Sequence, residues 1–237
     1  MPDNVSFFHS ARMKVLKTGF HLLYNQMAFT YDLVANVVSL GEWWEWQRAA
    51  LPYLPEPGAG WLLELAHGTG RLQIDLHNGG WQSIGYDLSA NMGRITRSRL
   101  IRKGIPARLV RGMGQALPFP DAHFSGVVCT FPTPFILETP TLNEIHRILQ
   151  PGKRLVFVPS GVLTRGGAAK TAMEAAFKAT GQRGGWHVDL RTHFAEHGFQ
   201  LESHLVELKR SIAQVIVAEK QPHPIPSPHA ERGSKIV

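Results

Sequence analysis

Three residues in the stretch WLLELAHGTGRL have types and spacing that suit ligand chemistry: Glu64, Gly68 and Gly70. Glycines two apart let a backbone turn tightly and come close to a ligand, and a helix beginning just after them presents free N–H groups. That geometry serves several ligand classes. A dinucleotide fingerprint requires a third glycine, but the count from Gly68 and Gly70 ends on Gln73. A P-loop requires Gly-Lys-Ser/Thr, whereas Thr69-Gly70-Arg71 lacks the lysine and places its hydroxyl too early. Both phosphate readings weaken. The loop also carries Ala66 and His67 where such turns commonly have a glycine and another small residue.

A loop of this kind needs a strand before it and a helix after it. WLLEL, 61 to 65, is an apolar run of strand type, set off from what precedes it by Pro52, Pro55, Pro57 and Gly58. The pattern then alternates: helix from Arg71 to His77, strand 82 to 86, helix 89 to 103, strand 107 to 110, strand 125 to 130 and helix 139 to 148. A turn at Pro151 and Gly152 leads into RLVFVPS as a fifth strand, helices are expected over Ala168 to Thr180 and Asp189 to Glu196, and QLESHLVELKR with SIAQVIVAEK reads as an antiparallel hairpin. Alternation of this kind predicts a parallel sheet with helices on both faces. Before it, Phe20, Leu23, Met27, Tyr31, Val34, Val37 and Val38 recur at helical spacing, so residues 1–57 are expected to form a helical cap, 58–220 the core, and 221–237, with four prolines, a disordered tail.

Composition sets the outer limits. A chain of 237 residues that is 43% hydrophobic and 18% charged can bury a full core in one domain, and no apolar run approaches the length of a membrane span. The N-terminus does not read as a secretory signal, which gives a cytoplasmic expectation. The single cysteine, Cys129, lies in GVVCTF and reads as a buried strand thiol. The net charge of +7 is concentrated: no acid falls between Asp87 and Asp121, while Arg94, Arg97, Arg99, Arg102, Lys103, Arg108 and Arg111 do. This is first a solvated helix face, with a nucleic-acid or anionic-lipid patch as the alternative.

The stretch ELAHGTG resembles the first motif of class I S-adenosylmethionine-dependent methyltransferases, an acid followed by G-x-G-x-G. IGYDLSANM, ALPFPDAHFSGVVCTFP and NEIHRILQPGKRLVFV resemble the later motifs of that family in the right order, and YNQMAFTYD is similar to the cap of its small-molecule branch, which includes the ubiquinone and menaquinone C-methyltransferases. The resemblance covers roughly residues 20 to 220. It implies a doubly wound α/β fold: a mostly parallel, seven-stranded Rossmann-like sheet with a C-terminal antiparallel hairpin and an N-terminal helical cap. It also implies S-adenosylmethionine as cofactor and S-adenosylhomocysteine as product.

Carried over residue by residue, Glu64 would accept from the cofactor's ammonium, and Ala66, His67, Gly68, Thr69 and Gly70 would wrap its methionine part. Asp87 would accept both ribose hydroxyls, and Leu88 and Met92 would border the adenine. The family's third strand commonly carries an acid before an alanine. Here Met113 and Gly114 stand there, so adenine recognition falls to backbone groups, apolar packing and Gln115. Thr130, Phe131 and Pro132 close the fourth strand, where substrate and cofactor meet in the family. Ala66 is harmless if its φ is negative and costly if it is positive.

Methyl transfer from a sulfonium is an in-line displacement and can proceed by positioning alone. If a general base is used, His67 and Tyr31 are the foremost candidates, with His187 and His193 also near the expected pocket mouth, and Tyr31 would contact the cofactor as well. No metal ligand is assigned. The aromatic residues Phe20, Tyr24, Phe29, Trp43, Trp44 and Trp46 suggest a small hydrophobic or aromatic acceptor, or else they weld the cap to the core; contact of the cap with a membrane surface is a further expectation. CTFPTPF lacks the Asn/Asp-Pro-Pro-aromatic motif of exocyclic amine methylation, which makes nucleic acid the weaker acceptor. Two rivals stand beside the small-molecule reading: an RNA methyltransferase using the basic segment, and a non-catalytic module that binds the cofactor.

Overall fold

A computed structural model describes Asn36 and residues 39–164 and 189–222. Most of the expected cap, including Phe20, Tyr24, Phe29 and Tyr31, lies outside the described residues, as do the expected helix at 168 to 180, His187 and all but the start of the tail. What is described of the cap is α1 (Trp43–Arg48) and a short 3-10 turn at Leu51–Tyr53.

The core alternates as the punctuation by glycine and proline requires. β1 (Trp61–Leu65) leads to α2 (Arg71–Asn78) and β2 (Gln82–Asp87); α3 (Ala90–Arg102) leads to β3 (Leu109–Arg111) and β4 (Phe124–Thr130); α4 (Thr139–Ile148) precedes β5 (Leu149–Leu163). α5 (Leu190–Glu196), β6 (Phe199–Glu207) and β7 (Ser211–Lys220) close the fold. The seven strands stand in the order β3-β2-β1-β4-β5-β7-β6, with β5, β7 and β6 joined by antiparallel ladders and the others parallel. This is the doubly wound sheet with a C-terminal hairpin. Strand order reverses between β1 and β4, and the crevice outside the carboxyl ends of such strands is where open α/β sheets hold ligands.

Side-chain alternation divides the core into two layers. Leu63, Leu65, Val127, Cys129 and Phe157 face Leu142, Ile145 and Ile148 of α4 and Phe194 of α5. On the other side, Leu62, Val128, Val156 and Val158 face Leu72 and Leu76 of α2 and the cap residues Trp43 and Trp46. Both faces of the central strands are therefore apolar and covered, as a parallel sheet demands. Cys129 is buried and free, matching the structural reading of that thiol.

Several boundaries shift from expectation, those of β3 and β5 among them. β3 starts at Leu109 rather than 107, and the Pro151-Gly152 turn sits inside β5 as a register break, with Phe124 opposite Leu149 and then Gly126 opposite Arg154. Gly152 has a φ of 68°, which accommodates the kink without ending the ladder.

The described part of the cap is fastened to the sheet through Trp46. Its indole N–H donates to the Ser211 hydroxyl at 2.8 Å, and that hydroxyl donates to Glu42 at 2.6 Å. The ring lies so close to Gly161 of β5 that a Cβ there would stand 2.1 Å from it, so only glycine permits the seat. Among the described residues, no helix is long and apolar enough to cross a membrane.

Candidate functional site

The loop after β1 makes three left-handed steps in quick succession, at Ala66 (φ 60°), Gly68 (φ 53°) and Gly70 (φ 76°). Ala66 N–H donates to the Tyr86 carbonyl at 2.7 Å and Gly70 N–H to the His67 carbonyl at 2.9 Å, so the turn is anchored to β2 and closed on itself. Gly70 is obligatory for a second reason: a Cβ there would stand 2.2 Å from Thr96 of α3.

Ala66 carries the cost that the sequence left conditional. A left-handed alanine is strained by roughly 1–2 kcal/mol, more than a half-buried methyl returns. Ala66→Gly is expected to stabilise the protein by about 0.5 kcal/mol, a rise in melting temperature of about 1–2 °C by calorimetry. A fall would show that the methyl group's packing outweighs the strain.

Asp87, at the end of β2, ties the loop to the next helix. Its Oδ2 accepts from Gly68 N–H at 2.9 Å and its Oδ1 from Ser89 N–H at 2.8 Å, while the Ser89 hydroxyl caps α3 by accepting from Met92 N–H at 3.3 Å. A carboxylate has about four acceptor positions. The two backbone donors leave acceptor capacity on each oxygen, which is what a pair of neighbouring hydroxyls would require.

Glu64 shares the α2-facing side of β1 with Leu62 and is buried. Its Oε2 accepts from Gln73 Nε2 at 2.6 Å, and Gln73 Oε1 accepts from the Ser83 hydroxyl at 3.0 Å. Burial pushes its pKa up to about 8, the Gln73 hydrogen bond opposes this, and the charges of Asp87 and Asp75 add to it. A buried carboxyl whose described neighbours are an amide and two other carboxylates suits a cationic ligand group. The residues present therefore fit the expected cofactor's ammonium.

His67 is expected to wrap the cofactor's methionine part and is a foremost base candidate, but its ring does not open to the site. The ring turns beneath the loop: it is 5% exposed, its Nδ1 lies 2.9 Å from the Gly68 carbonyl and 3.3 Å from Thr96 Oγ1, and it packs on Gly85 of β2. Burial holds the imidazole below its usual range, against the pull of the Asp87 charge. A neutral ring packed under the loop supports it from behind. Thr69 is likewise buried and receives Arg99, whose Nη1 donates to its carbonyl at 2.7 Å and its hydroxyl at 2.9 Å.

On the far side of Asp87 two large apolar side chains stand in solvent, Leu88 at 59% and Met113 at 53% exposure. Arg111 Nε donates to the Leu88 carbonyl at 3.0 Å and Gly112 N–H to the Asp87 carbonyl at 3.2 Å, which brings the ends of β2 and β3 together. Met92 is instead fully in the core, because its place in the first turn of α3 points it beneath the helix. Gly114 is buried against Phe135, and Gln115 Nε2 donates to Glu138 at 2.6 Å, so its amide N–H is engaged by a carboxylate.

Where β4 ends, Thr130 is half-buried and Phe131 has a left-handed φ of 51°. The Phe131 ring stacks on Trp43 with centroids 3.8 Å apart and planes 17° from parallel. Backbone strain of this kind persists where surroundings over-determine it and is common at ligand sites. Arg71, the first residue of α2, lies 3.4 Å from the centre of the Trp44 ring, which joins the cap to the loop. His193 is turned to the Leu137 carbonyl at 2.7 Å from its Nε2.

The basic segment is partly committed to structure. Arg99 and Arg111 serve the two strand-end loops and Arg108 lies 5.1 Å above the Trp61 ring, leaving Arg94, Arg97, Arg102 and Lys103 on the exposed face. Sequence reasoning passed over Gln73, Thr96 and Arg99. The available signal was a polar residue at 73 and another at 96 on otherwise apolar helix faces, beside Leu72 and Leu76 or beside Met92 and Leu100.

Residues 62–152 match the family described as a methyltransferase domain. The demethylmenaquinone methyltransferase of Thermus thermophilus is 33% identical over 137 residues, 56% of this chain and 62% of that protein. The demethylmenaquinone methyltransferase of Mycolicibacterium gilvum is 30% identical over 158 residues, 66% of this chain and 67% of that protein. The chain thus spans about three fifths of the length of the first of these relatives. Among solved structures, a possible histamine N-methyltransferase from Thermotoga maritima superposes with a TM-score of 0.60 at 21% identity, covering 84% of this chain and 98% of that one, a likeness of fold. With the switch-point loop, the two strand-end carboxylates and these relatives together, the chain belongs to the class I S-adenosylmethionine-dependent methyltransferases, in the branch of the ubiquinone and menaquinone C-methyltransferases.

Proposed function

We propose that the protein transfers a methyl group from S-adenosylmethionine to a small aromatic acceptor of quinone type. The observation that carries the reading is the pair of carboxylates, Glu64 and Asp87, at the ends of adjacent strands and joined by the glycine loop through the bond from Gly68 to Asp87. Glu64 would take the ammonium, Asp87 the ribose hydroxyls, and Leu88 with Met113 would border the adenine. The cofactor supplies an electrophilic methyl on sulfur; the chain's part is to hold an acceptor in line with it.

The aromatic character of the acceptor is supported by Phe131, half-buried at the end of β4 beside the switch point with its ring held by the buried Trp43. Flat rings in that place favour a flat, apolar partner. The names of the two relatives from Thermus thermophilus and Mycolicibacterium gilvum point to the same chemistry. Positioning carries the catalysis in this reading: the His67 ring is buried under the loop, and Tyr31, the other foremost base candidate, lies outside the described residues.

The test uses S-adenosylmethionine carrying a labelled methyl. Label is expected in quinone-containing lipid extracts and not in RNA. Label in RNA would replace the small-molecule reading with the nucleic-acid one, and tight binding without transfer to either would make the protein a binding module.

A further inference from the structure

We propose that Gln73 is a positioning residue for Glu64, holding one carboxylate oxygen so that the other is presented to the amino group of the methyl donor; the proposal rests on the methyl-donor reading of the site. The arrangement is a three-membered buried chain across three elements. Ser83 of β2 donates to Gln73 Oε1 at 3.0 Å, and Gln73 of α2 donates from Nε2 to Glu64 Oε2 of β1 at 2.6 Å. All three residues are buried, at 8%, 4% and 2% exposure in the same order.

The order of donors fixes the amide. The Ser83 hydroxyl donates to Oε1 and leaves the NH2 end facing Glu64; opposite an ammonium Glu64 is ionised and only accepts, so a flip would then set two acceptors against each other. Among the described residues Gln73 is the hydrogen-bond partner of Glu64, and it engages Oε2. The amide orients the carboxyl without bringing a positive charge, whereas a lysine or arginine there would satisfy the ionised form internally. The surroundings reinforce this, because burial and the charges of Asp87 and Asp75 oppose ionisation of Glu64 until a cation arrives. Only an incoming cation completes the site, and a carboxylate already oriented loses less freedom in binding it.

Gln73 also stands where a dinucleotide loop would carry its third glycine. That glycine lets the helix pack close to the strand. Here the position holds a side chain that spans the gap between α2 and β1 and uses it.

The full chain is titrated by calorimetry with S-adenosylhomocysteine, which has the amino acid part, and with 5′-methylthioadenosine, which lacks it. Gln73→Met keeps length and volume without the amide; it is expected to weaken the first ligand about tenfold and the second less than twofold. Ser83→Ala, which frees the amide to rotate, is expected to weaken the first about threefold with the second unchanged. If Gln73→Met does not fold, the split in Ser83→Ala decides. Equal losses for both ligands, or no loss for either, would overturn the assignment and leave Gln73 as packing. Failure of the intact protein to bind either ligand would overturn the methyl-donor reading itself.

Discussion

Replacing Asp87 by alanine is expected to abolish measurable binding of both S-adenosylhomocysteine and 5′-methylthioadenosine, an affinity loss of about a hundredfold or more by calorimetry. Two causes add. The ribose loses its carboxylate, and Gly68 N–H and Ser89 N–H lose the acceptor that holds the loop and the start of α3 in place. Each stranded N–H costs about 1–3 kcal/mol when it cannot reach water, so the folded protein should also lose about 2–6 kcal/mol. Asp87→Asn separates the causes: its one oxygen can keep one of the two backbone bonds, so stability should recover more than affinity does. Binding by Asp87→Ala within tenfold of the parent would exclude this carboxylate from the ligand site. The loss of both ligands also distinguishes Asp87 from Gln73, whose replacement should affect only the ligand with an amino acid part.

Local signals reached as far as the backbone and stopped at the side chains' long-range partners. The loop from Glu64 to Gly70, Asp87 at the end of β2, and the start of α3 near Ser89 were legible because each is dictated by residues within a few positions: glycines for left-handed steps, an apolar run for a strand, apolar residues at helical spacing for a helix. The hairpin of β6 and β7 was legible from two apolar runs separated by little more than a turn. His67 was not, since its direction depends on Thr96 and Gly85 presenting a niche from two other elements. The sign of φ at Ala66 was equally hidden; the bond to the Tyr86 carbonyl sets it, and that partner is decided by the register of β1 on β2.

The cluster of cations shows the same limit in charge. Counted along the chain, seven cationic side chains without an intervening acid resemble a docking surface. In the fold, Arg99 closes on Thr69, Arg111 on the Leu88 carbonyl, Arg108 on Trp61, Arg94 on the Asn91 side chain and Arg102 on the Ser98 carbonyl, so five of the seven cations hold neutral groups of the protein itself. Carbonyls and rings are invisible to a count of acids and bases. The segment before β1 is similar: three tryptophans within four residues could line a pocket or bind that segment down, and in the fold Trp46, anchored on Ser211, and Trp43, stacked on Phe131, are both buried and bind it down.

Glu64→Gln should make the ligand-free protein more stable while impairing its site. With a folded-state pKa of about 8 against 4.5 for an unperturbed side chain, Glu64 keeps its proton in the folded chain where the unfolded chain has released it. Below pH 4.5 both states hold the proton and parent and variant should differ little. As pH rises through the interval to 8, the unfolded state is progressively favoured in the parent and not in the variant, and above 8 the difference levels off. The full difference is bounded by about 5 kcal/mol, and a few degrees of melting temperature should separate the proteins at neutral pH. The introduced amide can still accept from Gln73, so the interior keeps its hydrogen bond, whereas the ammonium of S-adenosylhomocysteine loses a charged partner and about tenfold to a hundredfold in affinity. Melting curves from pH 4 to 9 check the sign: a gap that does not widen with pH would mean that Glu64 is ionised in the free protein and already compensated. The expected pattern is a stability cost held at a binding site, where the buried carboxyl is an uneasy resident until a cation arrives.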